Sequence, residues 1–528
     1  MFWGDKIAQK IQEVYNNKIA SATALIIRDE KTASGRVHVG SLRGVAIHGV
    51  ISEILSEKKI KNKFFFEIND YDPMDGLPVY LDQEKFKPFM GKPLCNVPSP
   101  DGKAKNYAEY FAEEFIGVIE YLDFKPEYYR SSDLYKQGKF NEAIRKSLER
   151  ANIIRKIYKE VSGADKKDAW LALGVICEKC GNVGSTKATD FDGETVAYTC
   201  GDYVTWAKGC GHAGRISPFD GRAKLPWKVE WPAKFMIMNV DIEGGGKDHS
   251  TRGGSREIAD RIAREVFEIE PPLNIPYEFF QVGGKKMSSS KGAGTSSREI
   301  ADLLPEHILR LLLIQKEYGR VIEFEPAGDT IPVLFDTYDK LAVAYFSGIK
   351  DDTTRIFELI HNPEERKHLK LRIFPRFSLV AYLSQMPHVD AQAEIEKMEG
   401  KKMSKDDIDE LNLRLKYAKI WLDTYAPPDF KFEIQKELPV ITKDLNSNQK
   451  LALKTILAYF ESKTILDGQE LHTRLHDIRK ELNIEPKDFF SAVYLSILGK
   501  ESGPKAGWFL SVLDKKFIEN RFKDVLNS

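Results

Sequence analysis

The chain reads as an α/β protein: a doubly wound parallel sheet, interrupted by a cysteine-rich insertion and followed by an all-α region. Three observations predict this. A β-branched apolar run at residues 22–27 feeds a glycine-bearing loop and a helix start. Four cysteines cluster between Cys177 and Cys210. Beyond about residue 332, apolar residues recur at helical spacing and strand-like runs cease. At 528 residues and 42% hydrophobic, the chain has room for several domains with cores of their own.

The first element is the strand. Residues 22–27, Ala-Thr-Ala-Leu-Ile-Ile, have the short apolar, β-branched character of a buried parallel strand. The loop Thr32-Ala33-Ser34-Gly35-Arg36-Val37-His38-Val39-Gly40 follows. From Ser41 onward Leu42, Val45, Ala46, Gly49, Val50 and Ile54 keep helical spacing, so Val39-Gly40-Ser41 opens a helix. Free N–H groups and the positive dipole end favour a phosphate there. Gly40 admits it closely, and His38 can donate a hydrogen bond to a phosphoryl oxygen. Taken alone, the pattern equally fits a plain strand-to-helix turn.

A second apolar run, residues 64–68, ends at Asn69-Asp70-Tyr71-Asp72. Loops after such strand ends line the ligand crevice of an open sheet, which makes residues 1–106 the first half of a Rossmann-type domain. Residues 107–214 read as an insertion, helical to about Ser162 and cysteine-rich over about 172–214. There Cys177-Glu178-Lys179-Cys180 is followed by Cys200 and by Cys210-Gly211-His212. A Cys-x-x-Cys turn presents two thiolates to one metal and the second cluster completes the shell, a structural zinc spacing. The expected ligands are Cys177, Cys180, Cys200 and Cys210, with His212 able to replace one of them. Cys95 stands apart.

The sheet is expected to resume near Trp227, and its second half to span residues 215–330. This half carries Lys285-Lys286-Met287-Ser288-Ser289-Ser290-Lys291-Gly292. Gly283-Gly284 and Gly292 flank a loop able to close over a polyphosphate, with Lys286 and Lys291 as its cations. Residues 331–528 form the helical region, as the periodicity at 411–423, 451–460 and 471–482 shows. Near its end Phe489, Phe490 and Trp508 mix with Lys487, Lys500 and Lys505, which fits either base stacking or a bundle core edged by lysines.

Bulk charge argues for no partner, because 79 basic and 79 acidic side chains cancel. Any nucleic-acid surface must be local. Arg145-Lys146 through Arg150 to Arg155-Lys156 is one candidate, and a solvated helix face is its plainer reading. Trp3, Ile7, Ile11 and Val14 form a charge-interrupted helical stripe rather than a signal peptide, and no stretch has membrane-span character. A cytoplasmic protein with no membrane association is expected.

The two loop segments together resemble a known superfamily. Thr32 to Ser41 resembles the HIGH motif, and Lys286 to Ser290 the KMSKS motif, of class I aminoacyl-tRNA synthetases. Ser41 stands in place of the second histidine and Ser289 in place of the second lysine, with Lys291 the candidate for the missing cation. Asn69-Asp70-Tyr71-Asp72, Trp227-Lys228-Val229-Glu230-Trp231-Pro232, the stretch from Gly246-Lys247-Asp248-His249 to Ser255, and Tyr277 are similar to the archaeal-like, class I type of lysyl-tRNA synthetase.

That resemblance implies activation of L-lysine with ATP and Mg2+, then transfer to the 3′ end of tRNA(Lys). It implies ATP contacts from Ser34, Gly35, His38, Gly40, Ser41, Lys286, Met287, Ser288 and Ser290. His38, Lys286 and Lys291 would stabilise the transition state. Selecting lysine asks for carboxylates near its ammonium and for apolar walls. Asp70 and Asp72 are the candidate carboxylates, and Thr32, Trp231, Asp248, His249 and Tyr277 complete the pocket. The helical region is implied to read the anticodon, and a monomer is expected. A class I synthetase for arginine, glutamate or cysteine, and a non-catalytic zinc-containing RNA-binding protein, are the rival readings.

Overall fold

The computed structural model describes residues 1–283, 295–386, 389–463 and 468–528. It contains two compact units: Met1–Phe324 with Ser347–Leu369, and Glu325–Phe346 with Lys370–Ser528.

In the first unit, strands β1 (Leu25–Thr32), β2 (Asn62–Asn69) and β3 (Glu127–Arg130) form a parallel sheet in that order. The apolar runs at 22–27 and 64–68 thus seed β1 and β2. On the other side of β1, Ile27 bridges Ile242 and Ile242 bridges Leu273, both in parallel sense. The spatial order is therefore β3, β2, β1, Ile242, Leu273. The chain goes one way from β1 and later returns on its other side, which makes the carboxyl end of β1 a topological switch point.

The Leu42–Glu57 helix connects β1 to β2, and most of its residues are buried. Leu42, Val45, Ile47, Val50, Ile51 and Ile54 are inaccessible, each burial contributing about 1.5–3 kcal/mol. The Trp3–Val14 helix buries its Trp3, Ile7 and Ile11 stripe against that helix.

Two boundaries differ from the sequence reading. The Tyr107–Tyr121 helix leads into β3, so the sheet half continues to Arg130 and the helical insertion begins after it. Trp227–Met238, where the sheet was expected to resume, is a helix. Its aromatic and β-branched start has strand character by composition. Burying Glu230 beside Lys234 on one helical face, with Trp231 next to them, overrides that local preference.

The insertion contains the helices Asn141–Glu149 and Ala151–Ser162, then an antiparallel sheet of Thr186–Phe191, Val196–Cys200 and Ala213–Ile216. It shares a core with the sheet half, in which Tyr71, Tyr135, Ile154, Tyr198, Val229 and Ile262 meet. The basic stretch engages its own surroundings: Lys146 pairs with Glu142, Arg150 with Glu268, and Arg155 donates to the Trp170 carbonyl.

The second unit is helical throughout its described residues. Its Lys405–Thr424 helix starts at a Ser404–Asp407 capping box and buries Trp421 and Arg414. The Arg414 guanidinium is satisfied by Asp339, by Glu410 at 2.7 Å and by the Pro375 carbonyl at 2.9 Å. Phe489 is fully buried and is core. No helix among the described residues is long and apolar enough to cross a membrane.

Candidate active site

A cavity of about 520 Å³ opens at the switch point. The end of β1 supplies Asp29 to Thr32, the loop beyond it Ser34, His38, Gly40 and Ser41, and the far side Glu243 to Gly246, Asp248, His249 and Tyr277. Trp227, Trp231 and Asp72 close the remaining wall.

On the helix-start side, Val39–Ser41 forms a 3₁₀ turn that runs into the Leu42–Glu57 helix, with the Ser41 N–H bonded to the His38 carbonyl. A side chain at position 40 would put its Cβ 2.9 Å from His38 Nδ1, so glycine is what allows the imidazole to lie over the turn. Burial, reinforced by Lys31, lowers the His38 pKa to about 3. The imidazole is neutral at physiological pH and meets a phosphate as a hydrogen-bonding group rather than as a cation.

This loop is tied to the far motif. The Val39 N–H bonds the Thr295 carbonyl, the Ser297 N–H bonds the Val37 carbonyl, and His38 bridges Ser296. Phe280 and Gln281 line the cavity as well. The chain therefore reaches the cavity wall just before residue 284, and just after residue 294 it is bonded to the His38 loop. Lys286, Met287, Ser288, Ser290 and Lys291 themselves lie outside the described residues.

The opposite side is aromatic and acidic. Trp227 and Trp231 stack with centroids 5.1 Å apart, and the His249 ring lies 5.1 Å from Trp227 and 6.1 Å from Trp231. Trp227 Nε1 donates to Glu30 at 3.1 Å, and Trp231 Nε1 to Glu243 at 2.6 Å. Tyr277 sits beside Asp29: a Cβ at Gly44 would lie 2.7 Å from both Tyr277 Oη and Asp29 Oδ2. Behind them His48 Nε2 accepts from the Gly244 N–H at 2.8 Å, which fixes the tautomer protonated on Nδ1.

The expected residues separate. Thr32, Ser34, His38, Gly40, Ser41, Asp72, Trp231, Asp248, His249 and Tyr277 come together on the cavity. Gly35 is buried in the loop rather than on the wall. Asp70 is off the wall too. It is buried, accepting from the Ser132 N–H at 2.8 Å and from the Ser131 and Ser132 hydroxyls at 3.1 and 2.6 Å. It thereby holds the start of the Ser131–Lys136 helix, a role visible only once β2 and that helix are side by side. Asp72 faces the cavity but is engaged by Lys224 at 2.8 Å, Thr32 at 3.0 Å and Asn69 at 3.1 Å. Sequence reasoning overlooked Asp29, Glu30 and Glu243, and it named Trp227 only within the Trp227–Pro232 segment, without a role in the pocket.

The cysteines form a second centre. Cys177 and Cys210 have their sulfurs 3.7 Å apart, as do Cys180 and Cys200, and all four lie within 4.8 Å of one another. Tetrahedral zinc with Zn–S bonds of about 2.3 Å requires S···S separations of about 3.8 Å, so the spacing fits a metal. The thiols are free of disulfides. The backbone N–H of His212 lowers the Cys210 pKa to about 7, while the His212 ring packs edge-on against Tyr198 at 5.9 Å.

Comparison with known proteins agrees with this geometry. Residues 1–364 match the family described as tRNA synthetases class I (K). The lysine–tRNA ligase of Methanosarcina barkeri (strain Fusaro) is 32% identical, over 99% of this chain and 98% of the relative. That of Archaeoglobus fulgidus is 31% identical over 100% of both chains. That of Thermoplasma volcanium is 32% identical, over 100% of this chain and 99% of the relative. With its nucleotide-type crevice, its paired motif loops and relatives aligned from end to end, the chain belongs to the class I (K) tRNA synthetase family.

Proposed function

We propose that the protein is a lysine–tRNA ligase, which activates L-lysine with ATP to lysyl-adenylate and transfers lysine to the 3′ end of tRNA(Lys). The observation that carries this reading is the two-sided cavity. A helix start with a neutral histidine faces the phosphates, and an aromatic, carboxylate-rich wall faces a cationic amino acid.

A lysine carboxylate oxygen attacks the α-phosphorus in line, the bond to the bridging oxygen breaks, and pyrophosphate leaves. No protein nucleophile is required. Positioning and charge stabilisation supply the acceleration, from His38, the turn at Gly40 and the loop cations Lys286 and Lys291. Ser34, Ser41, Met287, Ser288 and Ser290 complete the ATP contacts. Mg2+ would enter with the phosphates of ATP and offset their charge. Thr32, Asp72, Trp231, Asp248, His249 and Tyr277 shape the amino-acid side. The ribose hydroxyl of the terminal tRNA nucleotide then takes the activated carbonyl and AMP leaves.

Zinc on Cys177, Cys180, Cys200 and Cys210 staples the insertion, and the helical unit is assigned to the anticodon. The protein acts in the cytoplasm, where charged tRNA is consumed, as a monomer. The test is ATP-dependent attachment of each amino acid to total tRNA. Lysine alone is the expected product; arginine or glutamate would reject the pocket, and absence of any charging would reject the reading.

A further inference from the structure

Beneath the cavity floor, eight charged side chains form one connected set of ion pairs. Arg28 meets Glu67 at 2.5 Å and Glu243 at 2.7 Å, and contacts Glu30 as well. Lys234 reaches Glu67 at 2.6 Å, Glu30 at 2.8 Å and Glu230 at 3.2 Å. Lys224 joins Glu230 and Asp72, both at 2.8 Å. Five carboxylates thus share the three cations Arg28, Lys224 and Lys234.

A buried charge without a counter-charge is costly, and neutral donors offset only part of it. The donors here are the hydroxyls of Tyr129 and Tyr135 and the indoles of Trp227 and Trp231. Glu67 and Glu230 are sealed from solvent. Glu30, Glu243 and Asp72 are the members that reach the wall of this cavity.

Among these three, Glu30 has the open coordination. Both Glu243 oxygens are taken by Arg28, with Trp231 adding a third donor. Asp72 is neutralised by Lys224. Glu30 gives one oxygen to Lys234 and Arg28, whereas its Oε1 accepts the Trp227 indole N–H at 3.1 Å. A carboxylate oxygen has room for a further charge-assisted donor. The stacked Trp227 and Trp231 rings lie beside it, a surface suited to a methylene chain that ends in an ammonium.

We infer that Glu30, backed by Glu243, is the residue that selects the amino-acid substrate by its positively charged side chain, in place of the Asp70 and Asp72 pair that the sequence offers. This rests on the lysine reading above. The carboxylates of the network outnumber its cations by five to three, so the open side of Glu30 favours a positively charged side chain over a neutral one.

The test compares charging with lysine against its neutral analogues norleucine and 6-hydroxynorleucine. Glu30→Gln keeps an acceptor for the Trp227 indole but removes one charge. The lysine KM is expected to rise about tenfold or more, with the preference for lysine over the analogues falling by a similar factor and the ATP KM holding within about twofold. Glu30→Asp, which withdraws the charge by one methylene, is expected to lie between the two. Should Glu30→Gln be too unstable to assay, Glu30→Asp carries the comparison alone, and an unchanged lysine preference overturns the assignment. Glu230→Gln serves as the control, because it removes a network charge that does not line the cavity. An equal loss of preference in that variant would overturn the assignment to Glu30. If the wild-type enzyme charges no lysine, the functional reading fails; if it does and Glu30→Gln keeps its preference, only this inference fails.

Discussion

His38 shows how one burial decision sets chemistry. Its pKa falls from 6.5 to about 3 because the imidazole is desolvated next to Lys31. Between these values the unfolded chain binds the proton that the folded chain refuses, so stability rises with pH through that window and declines as pH falls below about 6.5. Activity therefore should carry no ionisation of His38 between pH 5 and 8. His38→Asn, which still donates a hydrogen bond, is expected to retain more activity than His38→Ala, whose loss should be on the order of 10²-fold. The check is the pH profile of kcat/KM for ATP in all three proteins; a limb near neutral pH that vanishes in His38→Asn would contradict a neutral donor. The motif residues were legible because they are contiguous and each carries its own signal. Glu30 and Glu243 were not, since their meaning comes from Arg28 and Lys234, and Arg28 lies 215 positions from Glu243. Asp70 misled for the same reason: a carboxylate beside Asp72 in the chain is in the fold committed to Ser131 and Ser132.

Elements followed the sequence wherever local pattern and burial agree. β1, β2, the helix opened by Val39–Ser41 and the helices of the second unit are examples. Trp227–Met238 departs because its buried Glu230 and Lys234 derive their stability from partners on other elements, which no window of neighbouring residues can reveal. The cysteine cluster was legible because a Cys-x-x-Cys turn followed by two further cysteines is a recognisable spacing, and the four thiols do meet in the fold. The antiparallel strands around it are short, and Cys200 ends one of them while Cys177 sits on the adjoining turn. A metal bound by the four thiols would be part of the folding free energy of that sheet. The wild-type protein should hold about one equivalent of zinc, and Cys177→Ser should lose it. Elemental analysis measures this directly. Full zinc retention in that variant would show that the four-cysteine set is not the binding site.

At the scale of the whole molecule, the chain divides into two compact units, and that has a thermodynamic consequence. The cavity proposed for lysine and ATP is lined by residues of the unit of Met1–Phe324 and Ser347–Leu369. A ligand that binds only one folded unit raises the stability of that unit by RT ln(1 + [L]/Kd), about 2.7 kcal/mol at a hundredfold excess over Kd. Independent cores of this size unfold separately rather than as one two-state system. Calorimetry should accordingly resolve two transitions. Lysine with ATP should move one of them upward, chelation of zinc should move the same one downward, and tRNA should move both. A single transition that shifts as a whole with lysine and ATP would mean that the units are energetically fused. The helical unit would then sense occupancy of the cavity directly, and aminoacylation variants in it would change lysine binding as well as tRNA binding.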